Sequence, residues 1–352
     1  MTDTMTSINQ YLAPEGPAAL IIREYLMPVE GKDGVFFPST FANIGYNIDY
    51  ENPGDKSGRN IALIDSVGSQ ANRLEPLFTA GEYAKLVPQI IIKAGEKTVN
   101  LLEVGHRAGD AIARCSALEG ELREAFKAVL HGNAEPLAKI APTSLVFGVW
   151  DSRDTQAKLP RILSSTIRAY NVRKLTRSAT YFAPVDYAAE NIFTEEEKQE
   201  AEGDAKKTLS KRGFVNALAT GTHGGVIAEG GIRRDAVLAL SALKLLRADN
   251  EENTQKLQQY ILGLALVAFT QLPLGYYRQG TILVLDPEKQ RECCEVAFNG
   301  TRTPVSISHE TALAFAKNAA EAFGIGANRE VFFNKDAAKQ DIKEGNKKKG
   351  KE

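Results

Sequence analysis

Residues 258–272, QQYILGLALVAFTQL, are apolar nearly all the way round a helix, and a helix with no polar face has to be enclosed on every side. The longest uninterrupted run inside it, Tyr260–Phe269, is about half of the ~20 residues that cross a bilayer. The enclosure must therefore come from protein. What surrounds this helix in the sequence is a mixture of short strands and further helices. Residues 18–26 (AALIIREYL) alternate in part and read as a strand. Asn60–Asp65 (NIALID) is a short apolar strand, and Ser66 behind it can cap a helix running through Leu77. QIIIK (89–93) and KTVNLLE (97–103) look like a strand pair joined at Gly95, and SLVFGVW (144–150) like a buried strand. Helical spacing marks His106–Leu118, Glu121–Leu130, Ile232–Arg247 and Glu310–Phe323, while TILVLD (281–286) and CCEVAF (293–298) suggest a hairpin. Adjacent strand pairs interspersed with helices favour an α+β fold over a doubly wound sheet.

Three stretches interrupt this pattern. Residues 27–60 carry Pro28, Gly31, Gly34, Pro38, Gly45, Pro53, Gly54 and Gly58, which break regular elements. The same stretch holds Phe36, Phe37, Phe41, Tyr46 and Tyr50, so it is expected to be an ordered excursion that packs on the core or docks on a partner. Residues 187–212 are Glu-rich, then Lys-rich, as in a solvated helix or mobile insertion. From Asn334 the chain becomes polar and Lys-rich, and 334–352 is expected to be a flexible tail. No domain boundary is evident, so 1–333 is taken as one domain with insertions at about 27–60 and 173–213.

The sequence also narrows the setting. The N-terminus reaches Arg23 before its first basic side chain and has no apolar segment behind a charged start, so export is not expected. Cys115, Cys293 and Cys294 are odd in number and include immediate neighbours, which bridge poorly; a reducing cytoplasm fits them. Phosphate-loop, zinc-protease, paired-cysteine and nucleophile-elbow motifs are all missing, and His106, His131, His223 and His309 lack zinc-type spacing. Ser241–Lys244 matches S-x-x-K but lies within the helical pattern. No catalytic residue, metal or cofactor is expected.

Charge is where the sequence speaks most clearly. The chain sums to −1, yet Thr155–Val185 contains Lys158, Arg161, Arg168, Arg173, Lys174 and Arg177 and no acidic residue, which leaves −7 elsewhere. Ser164, Ser165, Thr166, Thr176, Ser178 and Thr180 lie between these cations, with Tyr170, Tyr181 and Phe182 interleaved. Cations and hydroxyls bind phosphate and aromatic faces stack on unpaired bases, so the mixture suits a single-stranded nucleic acid. A solvated basic face neutralised by the Glu-rich 190–204 segment is the plainer reading. Gly221–Gly231 places five glycines ahead of the expected helix at Arg233 and Arg234, where a phosphate could meet backbone N–H groups; a tight turn explains it equally. Asp65–Arg73 and Gly105–Asp110 gather polar groups at helix starts, where capping and ligand binding stand level. In the first of these, Asp65 reads as a cap or an arginine partner.

Five strings, IDSVGSQANRLEPLF (64–78), GHRAGDAIARCS (105–116), PTSLVFGVWDSRDTQAKLPRILSSTIRAYNV (142–172), GGVIAEGGIRRDAVLALSALKLLR (224–247) and YYRQGTILVL (276–285), resemble the Csb family of RAMP-superfamily CRISPR proteins. That family supplies the backbone subunit of the type I-G (formerly I-U) Cascade complex. The resemblance implies an RNA-recognition-motif, ferredoxin-like core (β-α-β-β-α-β) with large insertions. It implies copies stacked head to tail along a crRNA as a helical ribonucleoprotein filament for antiviral defence, with pairing to the target DNA strand left to the guide. Other Cascade subunits and a recruited nuclease-helicase would be partners, and no membrane is involved. Carried over by position, the RNA-binding candidates are Asn72, Arg73, His106, Arg107, Arg153, Lys158, Arg161, Arg168, Arg233 and Arg234; Arg173, Lys174 and Arg177 join them on charge alone. The wedge that splays guide bases would be the 27–60 excursion or the segment between Val172 and Gly213. Two other functions compete. One is a metal-dependent RNA endonuclease using Asp65 and Asp151 with His106 or His223. The other is a scaffold that binds only proteins.

Overall fold

The computed structural model describes residues 8–349. The first seven residues, on which the expectation of an unexported chain partly rests, and the last three of the Lys-rich tail lie outside the described residues. In chain order the framework is β1 (Ala19–Pro28), β2 (Asn60–Asp65), α1 (Val67–Leu74), β3 (Leu163–Tyr170), β4 (Val172–Tyr181), β5 (Ala217–Ala228) and β6 (Ile232–Leu238). It continues with α2 (Glu251–Thr270), β7 (Thr281–Leu285), β8 (Glu292–Val296), α3 (His309–Phe323) and α4 (Lys335–Lys349). Helices and strands share the chain in an α+β architecture.

Along β1, buried and half-buried residues alternate without a break, the two-residue period of a sheet covered on one face. Leu20, Ile22, Glu24 and Leu26 point inward; Ile21, Arg23, Tyr25 and Met27 point outward. The central sheet runs β7–β1–β6–β3–β2, with every neighbour antiparallel, and β8 also pairs with β1. Its inner face is covered by α2, where every residue from Tyr260 to Thr270 is buried, as the all-round apolar pattern requires. Against α2 lies α3, so closely that a Cβ on Gly263 would sit 2.8 Å from the Ala316 Cα. A smaller sheet joins Ile90–Ala94, Lys97–Asn100 and Arg329–Phe332.

Beyond the sheet, β3 and β6 continue as β4 and β5, a two-stranded antiparallel ribbon closed by residues 182–216. The chain bends out at Asn171 (φ 48°) and returns through Gly230 and Gly231 (φ 82°). A Cβ on Gly230 would sit 2.8 Å from the Tyr170 carbonyl oxygen, so glycine is required there. The aromatic excursion holds the ribbon's base. Phe36 and Val226 exchange both backbone hydrogen bonds, and the Tyr46 hydroxyl accepts from the Gly225 N–H at 3.1 Å. Phe36 and Tyr46 are buried, so part of this excursion packs on its own core, while Phe41 and Ile44 stay exposed.

Several sequence expectations need correction. Residues 143–147 form a short helix, and only Val149–Trp150 is extended; a run this short and uniformly buried has no periodicity to separate helix from strand. Residues 232–238 form strand β6, followed by a short helix at Leu240–Leu243. Ile232, Arg234, Ala236 and Leu238 carry a two-residue period that the 3.6-residue spacing of Val237, Leu240, Leu243 and Leu246 concealed. No helix N-terminus therefore faces the Gly221–Gly231 segment, most of which is strand β5. β7 and β8 do not form a hairpin with each other, but lie end to end along β1, whose ten residues accommodate both. The helix expected over 106–118 reduces to single turns at Arg107–Gly109 and Ala111–Arg114. The tail expected to be flexible is helical as α4, tied by Asp341 to Arg114. Among the described residues no helix is long and apolar enough to cross a membrane.

Candidate nucleic-acid interface

The outer face of the central sheet is built by the residues that alternation turns away from the core. Backbone register sets Tyr25 beside Arg233 and Arg233 beside Arg168 across three consecutive strands. Two residues along each strand, Arg23, Asp235 and Thr166 form a second row. The Arg233 guanidinium lies 4.9 Å from the Tyr170 ring centroid, and Lys289 lies 5.0 Å from that of Tyr25. Asp235 accepts from Arg23 at 3.2 Å and from Arg233 at 2.8 Å, and Glu292 accepts from Arg23 and from the Tyr25 hydroxyl. Arg168 donates to the Thr166 hydroxyl at 2.7 Å and has no carboxylate partner among the described residues. With Arg233 held by Asp235, Arg168 is the cation of this row left without a carboxylate among the described residues.

From this face the ribbon carries the cations outward. Arg173 pairs with Glu229 at 3.2 Å, whereas Lys174 and Arg177 are exposed without a carboxylate partner among the described residues. Tyr181 and Phe182 are exposed where the ribbon ends. The Glu-rich segment does not neutralise this surface: among the described residues its ion pairs are internal, joining Lys198 to Asp186 and Glu195 and Lys207 to Glu200. The basic window does not converge on one pocket. Arg161 and Arg173 lie beyond opposite ends of β3, whose eight residues span about 26 Å.

A second cluster gathers at the start of β3. Asn72, near the end of α1, accepts from Arg107 at 3.4 Å, and a Cβ on Gly105 would lie 3.5 Å from the Asn72 amide nitrogen. Arg107 also donates to the Gly148 carbonyl, and a Cβ on Gly148 would lie 2.9 Å from the Arg161 side chain. Near this point His106, Lys158 and Arg161 are exposed, while Arg153, also exposed, lines a separate depression with Arg114, Asp154 and Asp341. His106 approaches Asp110 at 3.6 Å, and Lys158 lies 5.3 Å from the Trp150 ring centroid.

The fold withdraws two candidates from the surface. Arg107 is 4 % exposed and its Nε lies 2.7 Å from a Glu75 carboxylate oxygen. Burial pushes the Glu75 carboxyl up to about 7 despite this partner, and burial also lowers the Arg107 guanidinium. Arg234, on the inward side of β6, is buried against Glu24 and Ser165. Arg73 is half-buried, bonded to Asp65 at 3.1 Å and to the Tyr277 carbonyl at 2.7 Å. Asp65 is fully buried and takes further donors from Gln70 and Arg278, which makes it the arginine partner expected. Asp151 accepts from the Thr155 N–H and hydroxyl, His223 packs on Tyr46 in the ribbon, and His106 lies in the other cluster. Sequence reasoning missed Arg23, Tyr25 and Trp150. The first two were visible in the alternation of β1; Trp150 was hidden by the misread buried strand.

Among curated proteins none matches the chain. Residues 20–174, from the start of β1 to the first residues of the ribbon, match the model of a family described as CRISPR-associated protein GSU0053. The matched segment, somewhat under half of the chain, is similar to this CRISPR-associated protein family.

Proposed function

We propose that this protein is a guide-RNA-binding backbone subunit of a type I CRISPR effector, polymerising along crRNA and presenting it to target DNA. The observation that carries this reading is the continuity of the cationic surface. The Tyr25–Arg233–Arg168 row on an open sheet face runs into a ribbon with unpaired Lys174 and Arg177. Phosphates would lie on the guanidinium and ammonium groups, with bases against tyrosine faces. The strand order β8–β1–β6–β3, with α1 on the path from β1 to β3 and α2 between β6 and β8, supports an RNA-recognition-motif-like core. The projecting ribbon is then the wedge, since the 27–60 excursion is committed to holding its base. In this role the chain is non-catalytic and cytoplasmic, works beside other Cascade subunits, and leaves cleavage to a recruited nuclease.

The test is expression with a repeat-containing transcript followed by ultraviolet absorbance of the purified protein. A 260/280 ratio typical of a ribonucleoprotein, lost on nuclease treatment, is expected. RNA-free protein that also fails to bind single-stranded RNA in low salt would refute the proposal.

A further inference from the structure

Trp150 is the chain's one tryptophan, and 55 % of it is exposed. The short pairing of Val149–Trp150 with Lys158–Leu159 explains the orientation: Val149 turns inward and Trp150 outward. The backbone beneath the indole is held tightly, because Gly109 packs so close that a Cβ there would stand 3.0 Å from the Trp150 carbonyl oxygen. A large aromatic face is thus presented to solvent on a fixed support.

Its neighbours share one chemistry. Lys158 pairs with Trp150 in register, Arg153 lies in the turn that joins the two strands and Arg161 follows the second; none of the three has a carboxylate partner among the described residues. Most of the nearby carboxylate oxygens are engaged, Asp151 Oδ1 being buried without a partner. Asp151 holds Thr155, Asp154 pairs with Arg123 at 2.9 Å, and Asp110 caps the turn at Ile112 and faces His106. An exposed indole with Lys158 over its ring, and Arg153 and Arg161 close by in the chain without carboxylate partners among the described residues, offers a stacking face with phosphate-binding side chains at hand. From this geometry we infer that Trp150 is a stacking platform for one unpaired base of a single-stranded nucleic acid, with Arg153, Lys158 and Arg161 on the flanking phosphates. The inference rests on the RNA-binding reading above, but it places a base at the far end of β3 from the ribbon.

With one tryptophan in the chain, indole emission reports this site without labelling. The full-length protein, stripped of nucleic acid in high salt, is titrated with a fluorescein-labelled single-stranded RNA oligonucleotide for anisotropy and with the unlabelled RNA for emission. Quenching that saturates with the same midpoint as the anisotropy is expected. Trp150→Ala should weaken binding roughly 5- to 150-fold, and Trp150→Phe should keep most of the affinity while abolishing the emission. Binding with unchanged emission and full affinity in Trp150→Ala would overturn the inference and leave RNA binding intact. No binding by anisotropy would remove both. Emission that changes with protein concentration and ignores RNA would make Trp150 a contact between copies, which also overturns it.

Discussion

Replacing Arg107 by alanine distinguishes a residue that builds the fold from one that touches RNA. Arg107 and Glu75 have side chains 5 % and 1 % exposed and meet at 2.7 Å. At an effective dielectric of 20 the gross attraction across that gap is about 6 kcal/mol. Desolvation of both ions offsets most of it, so the intact pair contributes little, but removing one member strands the other's charge at a cost of about 3–5 kcal/mol. For 352 residues the unfolding entropy is about 0.7 kcal/mol per kelvin, so Tm should fall by about 4–7 °C. Glu75→Gln in the same chain removes the stranded charge and should recover much of the loss. The pH dependence has a definite sign. Glu75 is raised from its ordinary 4.5 to about 7, so its contribution is fully present below about 4.5 and is lost as pH rises through 7. Without Arg107 the carboxyl rises further, and the deficit of Arg107→Ala should shrink as the pH is lowered. Thermal unfolding followed by circular dichroism between pH 5 and 8 reads all three. A variant that melts within 1 °C of the parent yet loses RNA affinity would refute this reasoning and return Arg107 to the RNA path.

Arg161→Ala combined with Arg168→Ala should weaken binding to all RNA sequences alike and flatten the log–log salt dependence by about 1.4, at roughly 0.7 per single-strand phosphate contact; an unchanged slope removes both from the phosphate path. Gly45 has φ 76°, and a Cβ there would stand 2.7 Å from the His223 ring. Gly45→Ala should therefore loosen the ribbon's base, seen as faster amide exchange at Val226 while amides of α2 stay protected. Gly263→Ala drives a methyl into the Ala316 backbone and should cost about 1–3 kcal/mol in urea unfolding with no direct effect on RNA affinity.

Where one physical requirement dominated a segment, its structure was legible in the sequence. The all-round apolar pattern of α2 allowed only a buried helix, and the Ser66 hydroxyl caps α1 through the Ser69 N–H. Strand β6 was concealed because its inward face carries Arg234 opposite Glu24, so a buried ion pair broke the apolar alternation that marks a strand. The tandem placement of β7 and β8 on β1 is a long-range pairing that no local pattern encodes. Charge located the basic window, part of which folds as the ribbon. The resemblance could not separate Arg161 from Arg107, since exposure is decided by tertiary packing. Tyr25 and Arg23 came to the face through register with β6, a relation between segments more than two hundred residues apart.

The ribbon springs from two neighbouring central strands that leave the sheet together, turning at Asn171 and Gly231. It therefore works as a lever with its fulcrum in the sheet. A load on its tip is carried down two covalent chains into β3 and β6, the strands that hold Arg168 and Arg233, so under the proposed function a ligand held at the tip would bear directly on the orientation of the arginines at the root.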